Sequence, residues 1–138
     1  MTSARSVLVV DDDPDIRRIV SFALANLGQF HVRVAAGAEE ALRLVDEAPP
    51  DVVLLDVSMP HADGPQTLAL LRAVPSMRDV PIAFLTAAVG ESHPGTPQAR
   101  ESVDALRRAG AADIIAKPFV FEELCERVRR LLAQTGVV

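Results

Sequence analysis

Three consecutive aspartates, Asp11, Asp12 and Asp13, follow directly on the apolar run "VLVV". Neighbouring carboxylates repel one another, and burial makes the charged forms more costly. Either these side chains are solvated in a loop, or a positively charged group binds among them. The sequence therefore raises the question of what compensates this concentration of negative charge.

Three further apolar runs also end in groups that can take part in chemistry. Asp56 ends "DVVLLD", Thr86 ends "VPIAFLT", and Lys117 follows "ADIIA". Each has an ordinary explanation on its own: an aspartate can cap a turn, a threonine suits a strand, and a lysine is usually solvated. If the runs are neighbouring strands of one sheet, however, their polar groups meet at one edge.

The elements that must position these residues follow from hydrophobic periodicity. Short apolar runs alternate with stretches whose apolar residues keep helical spacing. Five strand–helix units in strict alternation predict an α/β fold with a parallel sheet, right-handed crossovers and helices on both faces. Ligands of such sheets bind beyond the carboxyl ends of the strands. The predicted strands are residues 6–10, 30–35, 51–56 and 80–86 and the run "ADIIAKPF".

The predicted helices follow these strands. The first starts at Pro14, with Asp13 as its cap and Gly28 at its end. The others are "AEEALRLVDEAPP", "GPQTLALLRAV", "RESVDALRRAG" and "FEELCERVRRLLAQ".

Carboxylates, a hydroxyl and an ammonium at one edge suit a divalent cation and a phosphoryl group. Mg²⁺ (or Mn²⁺) takes oxygen ligands, and Mg²⁺ usually keeps several waters, so one or two protein carboxylates suffice. A bound cation would cancel the repulsion among the acids. One carboxylate can then serve as a nucleophile, while Lys117 and Thr86 suit the oxygens of a transferred phosphoryl group.

Four stretches carry a family resemblance when taken in order and spacing. "VLVVDDDPDIRR", "DVVLLDVSMPHADG", "FLTA" and "AKPF" resemble the receiver domain of the two-component response regulators over nearly the whole chain. The resemblance implies a flavodoxin-like (βα)5 fold, a three-layer sandwich whose parallel sheet has the strand order 2-1-3-4-5.

The resemblance also implies a metal site. Asp12 and Asp56 would bind Mg²⁺ directly, together with the main-chain carbonyl of Ser58, and Asp11 would hold the ion through water. Asp13 matches no such position, in agreement with a capping role.

The same resemblance implies the phosphoryl chemistry. Asp56 would accept phosphate from a phosphohistidine on a sensor histidine kinase or a histidine phosphotransfer protein. Thr86 and Lys117 would bind the phosphoryl oxygens, and the Lys117–Pro118 peptide would be cis. Lys117 is expected to serve the phosphorylated state more than the stability of the fold. The chain would be a phosphoacceptor signalling domain rather than an enzyme, and its downstream protein target is unknown.

Two features depart from the family pattern and concern the switch residues, Thr86 and Ile114. Ile114 stands where the family usually has an aromatic residue that swings inward on activation. The segment between Thr86 and Lys117 is also longer than usual, and the excess lies at Val89 to Gln98. This segment is interpreted as a tolerated insertion or as a lid or partner epitope. We hypothesise that it and the fourth helix carry the phosphorylation-dependent change.

Two alternative functions remain open from the residues. A haloacid-dehalogenase-type hydrolase or phosphotransferase also uses an aspartyl phosphate, but it needs a second Asp two residues after the nucleophile, where this chain has Ser58. The second alternative is a receiver-like module that binds partners without being phosphorylated.

Composition limits the class of protein. A length of 138 residues predicts one domain spanning residues 1–138, with no output domain after the last helix. The net charge of −5 argues against nucleic acid as a partner, because binding phosphates needs a surplus of Lys and Arg. A single cysteine, Cys125, fits a reducing cytoplasm. No apolar run has the length of a membrane span or of a signal peptide.

Overall fold

The computed structural model of the chain describes residues 5–57, 59, 63–86, 104–117 and 119–134. A single five-stranded sheet contains β1 (Ser6–Val10), β2 (His31–Ala35), β3 (Val52–Asp56), β4 (Ile82–Thr86) and β5 (Asp113–Ala116). All neighbouring strands are parallel, in the order β2-β1-β3-β4-β5. The predicted fold class and strand order are confirmed.

Helices connect the strands. They are α1 (Pro14–Asn26), α2 (Ala38–Glu47), α3 (Gly64–Arg72), α4, which is helical at 104–108 within the described part of the chain, and α5 (Phe121–Gln134). A short 3₁₀ turn, Pro75–Met77, precedes β4. Among the helices of the described residues, none combines the length and apolar character needed to cross a bilayer.

The core lies on both faces of the sheet, because successive strand residues point to opposite sides. On one face Val52 and Leu54 of β3 pack in a cluster with residues of α1 and α5. On the other face Val53 and Leu55 pack in a cluster with residues of α2, α3 and α4. The molecule is therefore a three-layer sandwich, as the resemblance implies.

The register aligns the carboxyl ends of the strands. Val10 lies opposite Ala35, Asp56 lies opposite Leu85, and Thr86 lies opposite Ala116. The residues that end or follow the central strands are thereby brought to one edge of the sheet.

Helix α1 begins as predicted but ends differently. The Asp13 side chain accepts a hydrogen bond from the Asp15 amide at 2.9 Å, which confirms its capping role. At the other end α1 stops at Asn26, and the left-handed residue is Gln29 (φ 58°) rather than Gly28. Gly28 is required for space instead, because a Cβ there would lie 2.5 Å from the Phe30 ring.

The start of α3 is fixed against the end of β3. Asp63 and Gln66 form a reciprocal capping box, with bonds of 2.9 and 3.0 Å between each side chain and the other's amide. The Gly64 amide donates to the Val57 carbonyl at 2.8 Å, and a Cβ on Gly64 would lie 2.8 Å from the Cα of Val57. Only glycine allows α3 to begin this close to the residue that follows Asp56.

We expect Gly64→Ala to destabilise the domain by about 1–3 kcal/mol, because the added methyl meets backbone that cannot yield cheaply. Urea unfolding followed by circular dichroism measures the change. Gly37→Ala is the matched control, since a Cβ at Gly37 meets nothing within 4 Å. Equal stability losses in the two variants would show that the approach of α3 to β3 is not a constraint.

Candidate functional site

The predicted site residues converge at the carboxyl edge of the sheet. Asp11 follows β1, Asp56 and Thr86 are the last residues of β3 and β4, and Lys117 follows β5. Asp11, Asp56 and Thr86 are 1%, 6% and 2% exposed, whereas Asp12 is exposed to solvent. Two carboxylates are thus withdrawn from water side by side, and a third lies at the surface beside them.

The Lys117 ammonium compensates both buried carboxylates. Its Nζ donates to Asp11 Oδ2 at 3.1 Å and to Asp56 Oδ1 at 3.3 Å. The Lys117 side chain itself is 19% exposed, so the pair interactions lie mostly away from water and are weakly screened. Lys117 therefore balances part of the negative charge of the two buried carboxylates.

Asp11, Asp12 and Asp56 form an acidic cluster that suits a divalent cation. Each offers a carboxylate oxygen, and these oxygens all lie within 4.8 Å of one another. Hard oxygen donors at this separation match the preference of Mg²⁺, which completes its octahedron with water. The residues present therefore fit the metal that the sequence predicts.

Asp11 is held by its main chain and its side chain together. Its amide donates to the Ala35 carbonyl at 3.0 Å, and its Oδ1 accepts from the Asp13 amide at 2.9 Å. Its carbonyl oxygen accepts from Nη1 of Arg17 at 2.7 Å. With Lys117 on Oδ2, Asp11 is the most firmly fixed member of the acidic cluster.

Thr86 and Lys117 are joined through the main chain. The Lys117 amide donates to the Thr86 carbonyl at 2.9 Å, which extends the β4–β5 ladder by one residue. The Val57 amide donates to the Leu85 carbonyl at 3.1 Å, so β3 and β4 are also paired up to the site. The threonine and lysine are thereby set at fixed positions relative to Asp56.

The electrostatics of the site raise two pKa values. Burial raises the pKa of Asp56, Asp11 raises it further, and the attraction and hydrogen bond of Lys117 only partly oppose this. Burial alone would lower the pKa of Lys117, but the charges and hydrogen bonds of Asp11 and Asp56 outweigh it, so this pKa is raised. At neutral pH the ammonium stays charged, and ionised Asp56 is disfavoured by its surroundings.

Other predicted residues lie away from the cluster or outside the described residues. Ile114 is half-buried in β5, opposite Phe84, and packs against the core on the α2, α3 and α4 face of the sheet. The Ser58 carbonyl, the Lys117–Pro118 peptide and the Val89 to Gln98 segment fall outside the described residues. The expectations about them therefore stay predictions.

Two contributors to the site were not predicted from the sequence. Arg17, which contacts Asp11, belongs to an arginine pair and resembles any solvated helix residue. Gly64 was placed at the start of a helix without a reason for its being glycine. The capping pattern Asp63-x-x-Gln66 would have located that helix start and thus drawn attention to Gly64.

Comparisons with known proteins agree with this geometry. The family model described as "Response regulator receiver domain" matches residues 7–129. The chain belongs to the response regulator receiver family. Receiver domains are signalling modules of two-component systems, and the comparisons give no support to a haloacid-dehalogenase-type enzyme.

Curated relatives are longer proteins. The transcriptional regulatory protein PrrA of Mycobacterium tuberculosis is 41% identical over 139 residues, which cover 99% of this chain and 53% of PrrA. The response regulator MprA of Mycolicibacterium vanbaalenii is 40% identical over 129 residues, covering 94% of this chain and 51% of MprA. This receiver chain spans about half the length of the curated relatives it matches.

Two solved structures match this chain over almost their whole length. The chemotaxis protein CheY4 of Vibrio cholerae has a TM-score of 0.78 and 32% identity, covering 94% of this chain and 99% of CheY4. The receiver domain of a Francisella response regulator has a TM-score of 0.76 and 30% identity, covering 95% of this chain and 98% of that one. The receiver fold is therefore shared with a chemotaxis protein and with the receiver domain of another response regulator.

We expect Asp56→Asn to raise the melting temperature of the metal-free receiver. The pKa of Asp56 is raised in the folded state, so its ionisation costs stability. This loss of stability is absent below about pH 3.9, the pKa of an aspartate in the unfolded chain. It grows as the pH rises toward the pKa of Asp56 in the folded state. A gain of about 1 kcal/mol would appear as a shift of about 4 °C at pH 7.5 by differential scanning calorimetry.

Asp46→Asn on the exposed surface of α2 is the control for the loss of one acid. Asp46→Asn should change the free energy of unfolding by no more than about 0.5 kcal/mol. A lower melting temperature for Asp56→Asn would mean that Lys117 more than compensates the burial of Asp56.

We expect Lys117→Met to destabilise the metal-free receiver by about 2 kcal/mol, because two buried carboxylates lose their shared partner. Chemical denaturation of the single and double variants with Asp56→Asn forms a double-mutant cycle. Asp56→Asn should increase the free energy of unfolding by more in the Lys117→Met background than in the wild type. Additive effects would show that Lys117 and Asp56 are not coupled in the folded domain.

Proposed function

We propose that this receiver accepts a phosphoryl group on Asp56 from the phosphohistidine of a sensor histidine kinase or a histidine phosphotransfer protein. The observation that supports the proposal is the placement of a buried Asp56 carboxylate 3.3 Å from the Lys117 ammonium and within the acidic cluster. A carboxylate in such a position is available as a nucleophile, and the charge that arrives with phosphate meets a cation already in place.

The proposed phosphoryl transfer forms one bond and breaks one bond. A carboxylate oxygen of Asp56 forms a bond to phosphorus while the P–N bond of the phosphohistidine breaks. The bonding electron pair stays on the imidazole nitrogen, and the product is a mixed anhydride on Asp56. In phosphoryl transfer of this kind the protein mainly positions groups and neutralises charge on the phosphoryl oxygens.

Lys117 and Thr86 are proposed to bind those oxygens. Lys117 contacts Asp56 before any phosphate is present, so a small movement of the ammonium brings it to the phosphoryl group. Thr86 ends the neighbouring strand and is tied to Lys117 through its carbonyl. A change at one of these residues is therefore passed to the other by the main chain.

Asp12 and Asp56 are proposed as direct ligands of Mg²⁺ or Mn²⁺, with Asp11 binding through water. Asp12 is the exposed member of the acidic cluster and can exchange water for metal, while Asp11 is occupied by Lys117 and by the Asp13 amide. The cation, when bound, supplies neutralisation of charge on the carboxylates and on the phosphoryl oxygens.

The proposed output is a change in contacts with another protein. In this proposal the domain catalyses only its own phosphorylation and dephosphorylation, and Thr86 and Ile114 take part in the switch. Ile114 cannot provide an aromatic swing, so the change would have to reach the surface in another way. PrrA is named a transcriptional regulator, and the absence of a nucleic-acid partner remains a prediction for this chain.

Incubation with acetyl phosphate and Mg²⁺ should add one phosphate to the receiver by intact-mass spectrometry. Asp56→Asn should take up none, and EDTA should abolish labelling of the wild type. The label should be lost in mild base, as expected of an acyl phosphate. Equal labelling of Asp56→Asn and the wild type would overturn the assignment.

A further inference from the structure

The Arg17 side chain makes a contact in the site that the phosphoryl chemistry does not use. Arg17 lies in the first turns of α1 and is half-buried. Its Nη1 donates to the carbonyl oxygen of Asp11 at 2.7 Å. This short bond has a charged donor, and such bonds are stronger than those between neutral groups.

The atom that Arg17 contacts determines what the bond can do. The Asp11 carbonyl belongs to the planar peptide that joins Asp11 to Asp12. The Asp11 amide is bound to the Ala35 carbonyl, so the main chain is already fixed up to Asp11. Holding the carbonyl as well fixes the plane of the next peptide and with it the direction in which Asp12 leaves the strand.

Asp12 needs such support more than the other two acids. Asp11 and Asp56 are buried and share Lys117, whereas Asp12 is exposed. An exposed aspartate on an unsupported loop loses conformational entropy when it binds a metal ion. Fixing the main chain in advance reduces that loss, since less freedom remains to be given up on binding.

The neighbouring arginine shows that the contact is not a general property of this arginine pair. Arg18 faces solvent with a side chain 79% exposed, and it lies 4.0 Å from Asp15 one turn earlier on α1. The two arginines carry the same charge on adjacent residues, but the contact to the site is made by Arg17. Arg18 is therefore a matched control for charge.

We propose that Arg17 is a positioning residue that holds the Asp11–Asp12 peptide so that Asp12 is presented to a divalent cation. The inference rests on the proposed function, because it assumes that the acidic cluster binds the metal. Arg17 acts through the main chain of Asp11 and touches neither the metal nor the phosphoryl group.

Charge and positioning predict opposite results for a substitution at Arg17. Loss of a positive charge close to the acidic cluster should strengthen the binding of a cation if Arg17 acts by charge alone. Loss of the bond to the Asp11 carbonyl should weaken binding if Arg17 acts by position. Residues that orient metal ligands commonly change affinity by about 10–100-fold when substituted, and we expect about tenfold for an exposed site.

Titration calorimetry with MgCl₂ on the wild type and on Arg17→Met, Arg17→Lys, Arg18→Met and Asp12→Asn tests the proposal. Arg17→Met should bind Mg²⁺ about tenfold more weakly, and Arg17→Lys should bind more tightly than Arg17→Met. Arg18→Met should match the wild type or bind slightly more tightly. Arg17→Gln, measured alongside, should weaken binding in the same direction and provides the result if Arg17→Met does not fold.

Phosphorylation by acetyl phosphate gives a second readout. A positioning role predicts that the labelling rate of Arg17→Met approaches that of the wild type at saturating Mg²⁺ and falls at low Mg²⁺. Unchanged or tighter Mg²⁺ binding by Arg17→Met and Arg17→Gln would overturn the role of Arg17 and leave the site intact. Failure of the wild type to bind Mg²⁺, or equal binding by Asp12→Asn, would instead overturn the proposed metal site.

Discussion

The interaction on which this receiver depends is the one between Lys117 and two buried carboxylates. Asp11 follows β1 and Asp56 ends the adjacent strand β3, and both are almost fully withdrawn from water, an arrangement that is unfavourable without a shared cation. Lys117 follows β5, at the edge of the sheet, and its partners follow β1 and end β3. The ammonium therefore reaches past the end of β4, where Thr86 lies, and links the ends of β1, β3 and β5 electrostatically.

The surrounding structure keeps this arrangement in place. The parallel register aligns the strand ends, and main-chain hydrogen bonds extend the pairing to Val57 after β3 and to Lys117 after β5. Gly64 lets α3 begin directly against the residue after Asp56, and Arg17 holds the carbonyl of Asp11. Hydrogen bonds thus hold the main chain of the site in place. The three carboxylates of the acidic cluster, however, carry more negative charge than the Lys117 ammonium balances. A divalent cation bound by the acidic cluster would relieve that imbalance.

The predicted residues have different structural roles in the folded domain, which their residue types alone do not reveal. Asp13, the third acid of the run, serves α1 as a cap, and its amide supports Asp11. Ile114 is half-buried against the core and lies opposite Phe84, so its side chain contributes to packing between the sheet and the helices. Lys117, expected to act mainly on phosphate, already has two partners inside the folded domain.

The sequence by itself determined the alternation of strands and helices, the acids at the ends of the first and third strands, and the cap at Asp13. These features depend on local periodicity and on side-chain type, which are visible in a few consecutive residues. The sequence could not show that Lys117 lies between Asp11 and Asp56, because these residues are up to 106 positions apart along the chain. Nor could it distinguish Arg17 from Arg18, or explain Gly64. The direction of a side chain and the space at a Cα are decided only when the elements pack against one another.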